Sequence, residues 1–172
     1  MNLFVSFIEQ VSFIQTFGRG VFHFVKPQVM CMCSGETVDH LLLHCTVTRE
    51  IWSYVFRLFG VHWVISGSVL DLVVGWRNWF GKQSSEVWNL VPLYVMWSIW
   101  RERNNRTFED IEHFVGQLIE SCMCSLYDWA KAWGFTTSTS VGGFLESLSL
   151  IFCNSFSYGL FILYAHHVVF IQ

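Results

Sequence analysis

From His40 to Gly60 the apolar residues Leu41, Leu42, Val47, Ile51, Trp52, Val55, Phe56 and Phe59 recur at three- and four-residue steps. That period belongs to one face of an α-helix, so the stretch is committed to an amphipathic helix of about five turns with its apolar face packed against other elements. Gly60 supplies the C-terminal stop, and the acid-rich Glu36-Thr37-Val38-Asp39 suits the start. A second helical run covers about 68–80 and ends near Gly81. A third begins near Ser85 and buries Trp88, Val91, Val95, Met96, Ile99 and Trp100; if Pro92 marks its first turn, the start moves to about residue 91. A fourth runs from Phe108 to Trp133 before Gly134, with Ile111, Phe114, Val115, Leu118, Ile119, Cys122, Leu126 and Trp129 at helical spacing.

The expected fold is mainly α: a short Cys-containing turn, about four amphipathic helices, and an apolar C-terminal helix or tail. Four segments follow. Residues 1–27 are poorly specified, 28–135 form the body, 136–143 are a Thr-, Ser- and Gly-rich linker, and 144–172 are an apolar tail. At 172 residues there is room for one ordinary domain. Charged residues make up only 13%, against roughly 25% in an average soluble domain. Nine Trp and seventeen Phe must therefore be buried between helices, by a partner, or by a membrane.

The tail bears on the last alternative. Residues 148–171 contain no Asp, Glu, Lys or Arg, which meets the length requirement for a membrane-spanning helix. Asn154, Gly159, His166, His167 and several Ser dilute the run, and no Lys or Arg flanks it. A spanning helix, a buried or interfacial helix, and an unstructured extension all stay open. No Lys or Arg precedes the N-terminal apolar run, and Glu9 interrupts it, which argues against a secretory signal. The expected location is intracellular, nucleus or cytoplasm, with membrane attachment through the tail as the alternative. Six Cys are then expected to be reduced, available for metal binding or simple burial.

A formal charge of −3 lacks the basic footprint of a nucleic-acid binder. The cationic cluster is Arg101, Arg103 and Arg106, the plausible phosphate contacts if nucleic acid is bound. Glu102 lies within it and Glu109 and Asp110 follow, a balance that favours a salt-bridged helix end over a phosphate groove.

The chemistry concentrates between Cys31 and Cys45, where Cys31, Cys33, His40, His44 and Cys45 fall within fifteen residues. Zinc takes four soft or borderline ligands in a tetrahedron, and short loops keep the cost of gathering them low. His40 and Cys45 have a ligand-pair spacing, whereas Cys31-x-Cys33 gives a strained bite on one ion. On a regular helix His40 shares a face with His44, while Cys45 points about 140° away. His40 and Cys45 therefore meet one ion only if the helix start is irregular or the ion sits over its end. The alternative is a set of satisfied thiol and imidazole groups around a helix N-terminus, with Cys acting as a small hydrophobe. Cys122, Cys124 and Cys153 lie in helical or apolar patterns and are read as buried thiols.

The run from Gly35 to Cys45, followed by Trp52, Phe56 and Phe59-Gly60-Val61-His62-Trp63-Val64, resembles the reverse transcriptase zinc-binding domain of plant LINE-type (non-LTR) retrotransposons. The resemblance continues through Trp97-Ser98-Ile99-Trp100-Arg101-Glu102-Arg103-Asn104-Asn105-Arg106-Thr107-Phe108-Glu109-Asp110 to Leu126-Tyr127-Asp128-Trp129-Ala130, spanning residues 28–135. It implies zinc held by Cys31, His40 and Cys45, with Gln28 where the family has its first Cys, and Cys33, His44 or water as substitutes. It also implies a non-catalytic module associated with nucleic acid or with a retrotransposon polymerase, without a small-molecule substrate. The chain carries no Tyr-x-Asp-Asp segment and no spaced acids for nuclease work, so enzymatic activity is not expected. The competing expectation is a metal-free structural or membrane-associated fragment without retained biochemical activity.

Overall fold

The computed structural model of the chain describes Met30 and Cys31, residues 37–62, 64–76 and 85–155, and the segments 161–164 and 167–170. It is mainly α, as expected. A π-helical turn, α1 (His40–His44), leads into α2 (Thr46–Leu58), followed by α3 (Val69–Gly75), α4 (Ser85–Asn104), α5 (Val115–Ala132) and α6 (Val141–Ser155). A second π-helical turn, Asn105–Glu109, prolongs α4. Two short strands, β1 (Phe161–Tyr164) and β2 (His167–Phe170), pair antiparallel with Phe161 opposite Phe170.

Helix α4 packs along α5 and against α1 and α2, while α6 packs on α2 and α5. The core they share includes Leu41, Leu42, Leu43, Ile51, Trp52, Val55, Phe59, Leu72, Trp88, Val95, Ile99, Cys122, Leu126 and Phe144. Its densest part is aromatic. The Trp76 and Trp88 rings stack with centroids 4.1 Å apart, Trp52 lies 5.6 Å from Trp76, and Phe59 meets Trp88 edge-on at 5.0 Å.

Two glycines end helices as the sequence suggests. Gly60 (φ 62°) and Gly134 (φ 73°) adopt the left-handed conformation. Around each, the next two amides fold back onto the helix: Gly60 N–H to Arg57 C=O and Val61 N–H to Phe56 C=O, then Gly134 N–H to Lys131 C=O and Phe135 N–H to Ala130 C=O.

Three sequence expectations need correction. The His40–Gly60 helix is not continuous, because Cys45 is extended (φ −57°, ψ 142°) between α1 and α2. The Phe108–Trp133 helix is also interrupted. Asp110 takes a left-handed conformation (φ 54°), and α5 starts only at Val115, with Gln117 Oε1 accepting the Phe114 N–H at 3.0 Å. The segment read as a linker includes the first turn of α6, where Ser140 Oγ accepts the Gly143 N–H at 3.2 Å. Phe144 then packs 5.6 Å from Tyr127, so α6 belongs to the core. In the 148–171 stretch, whose alternatives the sequence leaves open, α6 runs to Ser155 and the two short strands lie beyond it. Among the described residues no helix is long and apolar enough to cross a membrane. Helix α3 is shorter than expected, and residues 77–84 lie outside those described, as does the 1–27 segment.

Pro92 lies inside α4, which starts at Ser85. Proline has no N–H, so the Trp88 C=O loses its helical donor. The Trp76 indole N–H replaces it, donating to that carbonyl at 3.0 Å. The stack and the hydrogen bond thus fix α3 to α4 where α4 is weakest. Trp76→Phe is expected to destabilise the chain by about 1–3 kcal/mol through the orphaned carbonyl, measured from urea unfolding. In the Pro92→Ala background the new amide supplies the donor, so the same substitution is expected to cost less; equal costs in both backgrounds would contradict the account.

Candidate metal centre

The first turn of the body is built by capping. Thr37 Oγ1 accepts the His40 N–H at 3.1 Å and Thr37 C=O accepts the Leu41 N–H at 2.9 Å. Asp39 faces away from the turn, its Oδ1 accepting the Val69 N–H at 2.8 Å and so tying the turn to the start of α3. The chain then widens. Cys45 N–H reaches back five residues to the His40 C=O at 2.7 Å, the π-type bond.

That bond answers the facing problem posed by the sequence. In an α-helix residue i+4 lies over residue i; when the turn closes on i+5, residue 45 takes that place. His40 and Cys45 are brought to one side, and His44 is turned off it. His44 is exposed, its Nε2 3.2 Å from the Gly67 carbonyl oxygen, and it is not one of the clustered ligands.

The widened turn and the kink at Cys45 deprive the Leu41 and Leu42 carbonyls of their usual helical donors. Both are served from α2. Thr48 Oγ1 donates to Leu41 C=O at 2.7 Å, and the Trp52 indole N–H donates to Leu42 C=O at 2.9 Å. All these groups are buried, where an unpaired carbonyl costs about 1–3 kcal/mol. The irregular turn is therefore supported at both carbonyls.

Cys31 closes the site from the preceding segment. Its Sγ lies 3.1 Å from His40 Nε2, and one ligand atom each of Cys31, His40 and Cys45 lie within 4.8 Å of one another. In a tetrahedral zinc site with S and N ligands, neighbouring donor atoms are about 3.6–3.8 Å apart. Shifts of an ångström or less bring these three to that spacing. The donor set of two sulfurs and one imidazole, half-buried to buried, is compatible with a metal ion. Cys33 and Gln28 lie outside the described residues.

The Cys45 thiol is the buried member of this cluster. Burial raises it above its ordinary value; the Thr48 and Val47 backbone N–H groups at the start of α2 pull it down, and the nearby Cys31 adds to the rise. Those N–H groups are placed to stabilise a thiolate once a cation neutralises the pair.

The arginines expected to touch phosphate are mostly inside. Arg103 is 1% exposed, with its guanidinium 5.6 Å from the Trp100 ring centre. Arg106 is salt-bridged to Glu102 at 2.7 Å, and only Arg101 is exposed, donating to Ser121 Oγ at 2.7 Å. The cluster is a salt-bridged helix end, and Arg103 and Arg106 do not present a phosphate groove.

Residues absent from the sequence-level site complete this end. Glu102, almost inaccessible, accepts the His113 N–H at 2.8 Å on Oε1 and the His113 Nδ1–H at 2.7 Å on Oε2. The opposite charges at 102 and 106 were a readable i, i+4 signal; His113 was hidden because the break at Asp110 carries it back. Cys122 is buried, which pushes its thiol up to about 11. Comparison with family models, curated proteins and solved structures finds no match to this chain.

Burial acts to raise the Glu102 pKa, but the His113 N–H, Arg106 and the His113 ring together lower it below its ordinary 4.5. A depressed carboxylate pKa stabilises the fold above the unfolded value and loses that contribution as pH falls through the folded one. Stability is thus expected to drop as pH falls below about 4.5. Thermal melts of Glu102→Gln should show a shallower acid limb than the parent; parallel limbs would refute the assignment.

Proposed function

We propose that the chain is a non-catalytic zinc-binding module of the kind found at the C-terminal end of retrotransposon reverse transcriptases. The observation that carries the reading is the Cys31, His40 and Cys45 cluster, gathered within 4.8 Å by a helix start that is irregular where the ligand spacing requires it. Two thiolates and an imidazole favour zinc over magnesium or calcium, which take oxygen ligands. The order of sequence blocks from Gly35 to Ala130 supports the same reading, because the Trp52 and Glu102–Arg106 blocks are the parts that shape the ligand turn and its surroundings.

The ion's role in this reading is structural. It joins the Cys31 segment to the α1–α2 junction and offsets the burial of two thiolates. Association with nucleic acid or with a polymerase remains part of the proposal through the family resemblance; Arg103, which is buried, and Arg106, which is taken up by its ion pair with Glu102, are not its contacts in this reading.

Untagged protein is expected to carry about one zinc per chain by mass spectrometry, and free zinc at 100-fold its Kd to add about 2.7 kcal/mol of stability. Affinity is expected to fall as pH is lowered, because both thiols must release protons. Cys45→Ala should abolish zinc retention and zinc-dependent stabilisation, whereas His44→Ala should leave both in place. Protein that holds no zinc and melts identically with and without it would end the proposal.

A further inference from the structure

We infer that Arg106 is a positioning residue for the metal centre: without touching the ion, it fixes where the Cys31 sulfur can go. The inference rests on the zinc-binding reading above. Its basis is the set of partners around one guanidinium, 91% of whose side-chain surface is removed from solvent, since only 9% stays accessible. Nε donates to Glu102 Oε1 at 2.7 Å, Nη2 to His113 C=O at 3.1 Å, and Nη1 lies 2.9 Å from Glu112 Oε1. Nη1 also donates to the Met30 carbonyl at 3.2 Å, across 76 residues of sequence.

Met30 directly precedes Cys31, and its side chain is buried in the core. The peptide between them is planar, so from the clamped carbonyl to the Cys31 sulfur only φ and χ1 of Cys31 are soft. Holding that carbonyl confines the sulfur to a few staggered positions, one of which is 3.1 Å from His40 Nε2. Glu102 aims the guanidinium: its Oε1 receives Arg106 and the His113 N–H together, and the His113 ring holds Oε2. The block Trp100 to Phe108, which supplies no ligand, thereby acts on the ligand geometry. Lysine cannot reproduce this, because its ammonium lacks the planar fork that spans a carboxylate on one edge and carbonyls on the others.

The test uses the full chain and Co²⁺ as the probe, with zinc competition for affinity. The parent should bind one Co²⁺ with a thiolate-to-metal charge-transfer band. Arg106→Lys, which can keep the ion pair with Glu102, should bind about tenfold more weakly, the scale of outer-shell effects at metal sites, with a diminished band. In metal-free protein the same variant should alkylate faster at Cys31 while buried Cys45 and Cys122 stay protected. Global unfolding would expose all three thiols, and in that event Glu102→Gln, which leaves Arg106 present but unaimed, carries the same two readouts. A folded variant with unchanged affinity, band and Cys31 labelling overturns the role of Arg106. A parent that binds no Co²⁺ or zinc overturns the metal reading itself, and the labelling still reports separately on the clamp.

Discussion

One hydrogen bond sets the geometry on which the site depends: Cys45 N–H to the His40 carbonyl, closing a turn one residue wider than an α-helix. Without that extra residue, His40 would face His44, and the buried sulfur of Cys45 would point elsewhere. A wide turn is a poor local bargain, since it leaves carbonyls without helical donors. It persists because α2 returns two side-chain donors to the same place, Thr48 to Leu41 and Trp52 to Leu42. Ligand geometry and core packing are therefore one arrangement, and Trp52 belongs to both.

The same device recurs at Pro92. There too a helix loses a backbone donor, and there too an indole N–H supplies it, from Trp76 to Trp88 C=O. Trp52 and Trp76 are neighbours at 5.6 Å. The two repairs thus share one aromatic cluster joining α2, α3 and α4. This gives the high tryptophan content a reason beyond apolar area: a phenylalanine fills space but has no N–H to donate.

Much of this was legible in the residues. The helical periods from Leu41 to Phe59 and from Leu118 to Trp129 gave the mainly α class, and Gly60 and Gly134 marked real helix ends. Residue type and spacing pointed to the Cys31–Cys45 stretch and to the His40–Cys45 pair, with an irregular helix start as its condition; the trio that includes Cys31 came from the family resemblance, and it is the one the structure gathers. What periodicity could not reveal were the breaks. Cys45 and Asp110 interrupt stretches whose apolar spacing continues across them: around Cys45 both sides are buried, whereas across Asp110 the period ran through Phe108, Ile111 and Phe114, which are exposed. The α-helical period puts His44 on the His40 face, and the π-type turn gives that place to Cys45 instead. The inward turn of Arg103 and Arg106 was hinted at by the interleaved acids, but the Met30 and His113 carbonyls that Arg106 reaches are set by tertiary structure.

The spread of these contacts along the chain also implies an order of assembly. Cys31, His40 and Cys45 lie within a fifteen-residue stretch, so gathering them closes only a short loop. The Arg106 bond to Met30 closes one of 76 residues and requires α4 to be in place. On a growing polypeptide the ligand cluster emerges as a unit before the clamp that trims it has been synthesised. The three side chains can thus be gathered first and take their final placement when the far end of α4 arrives.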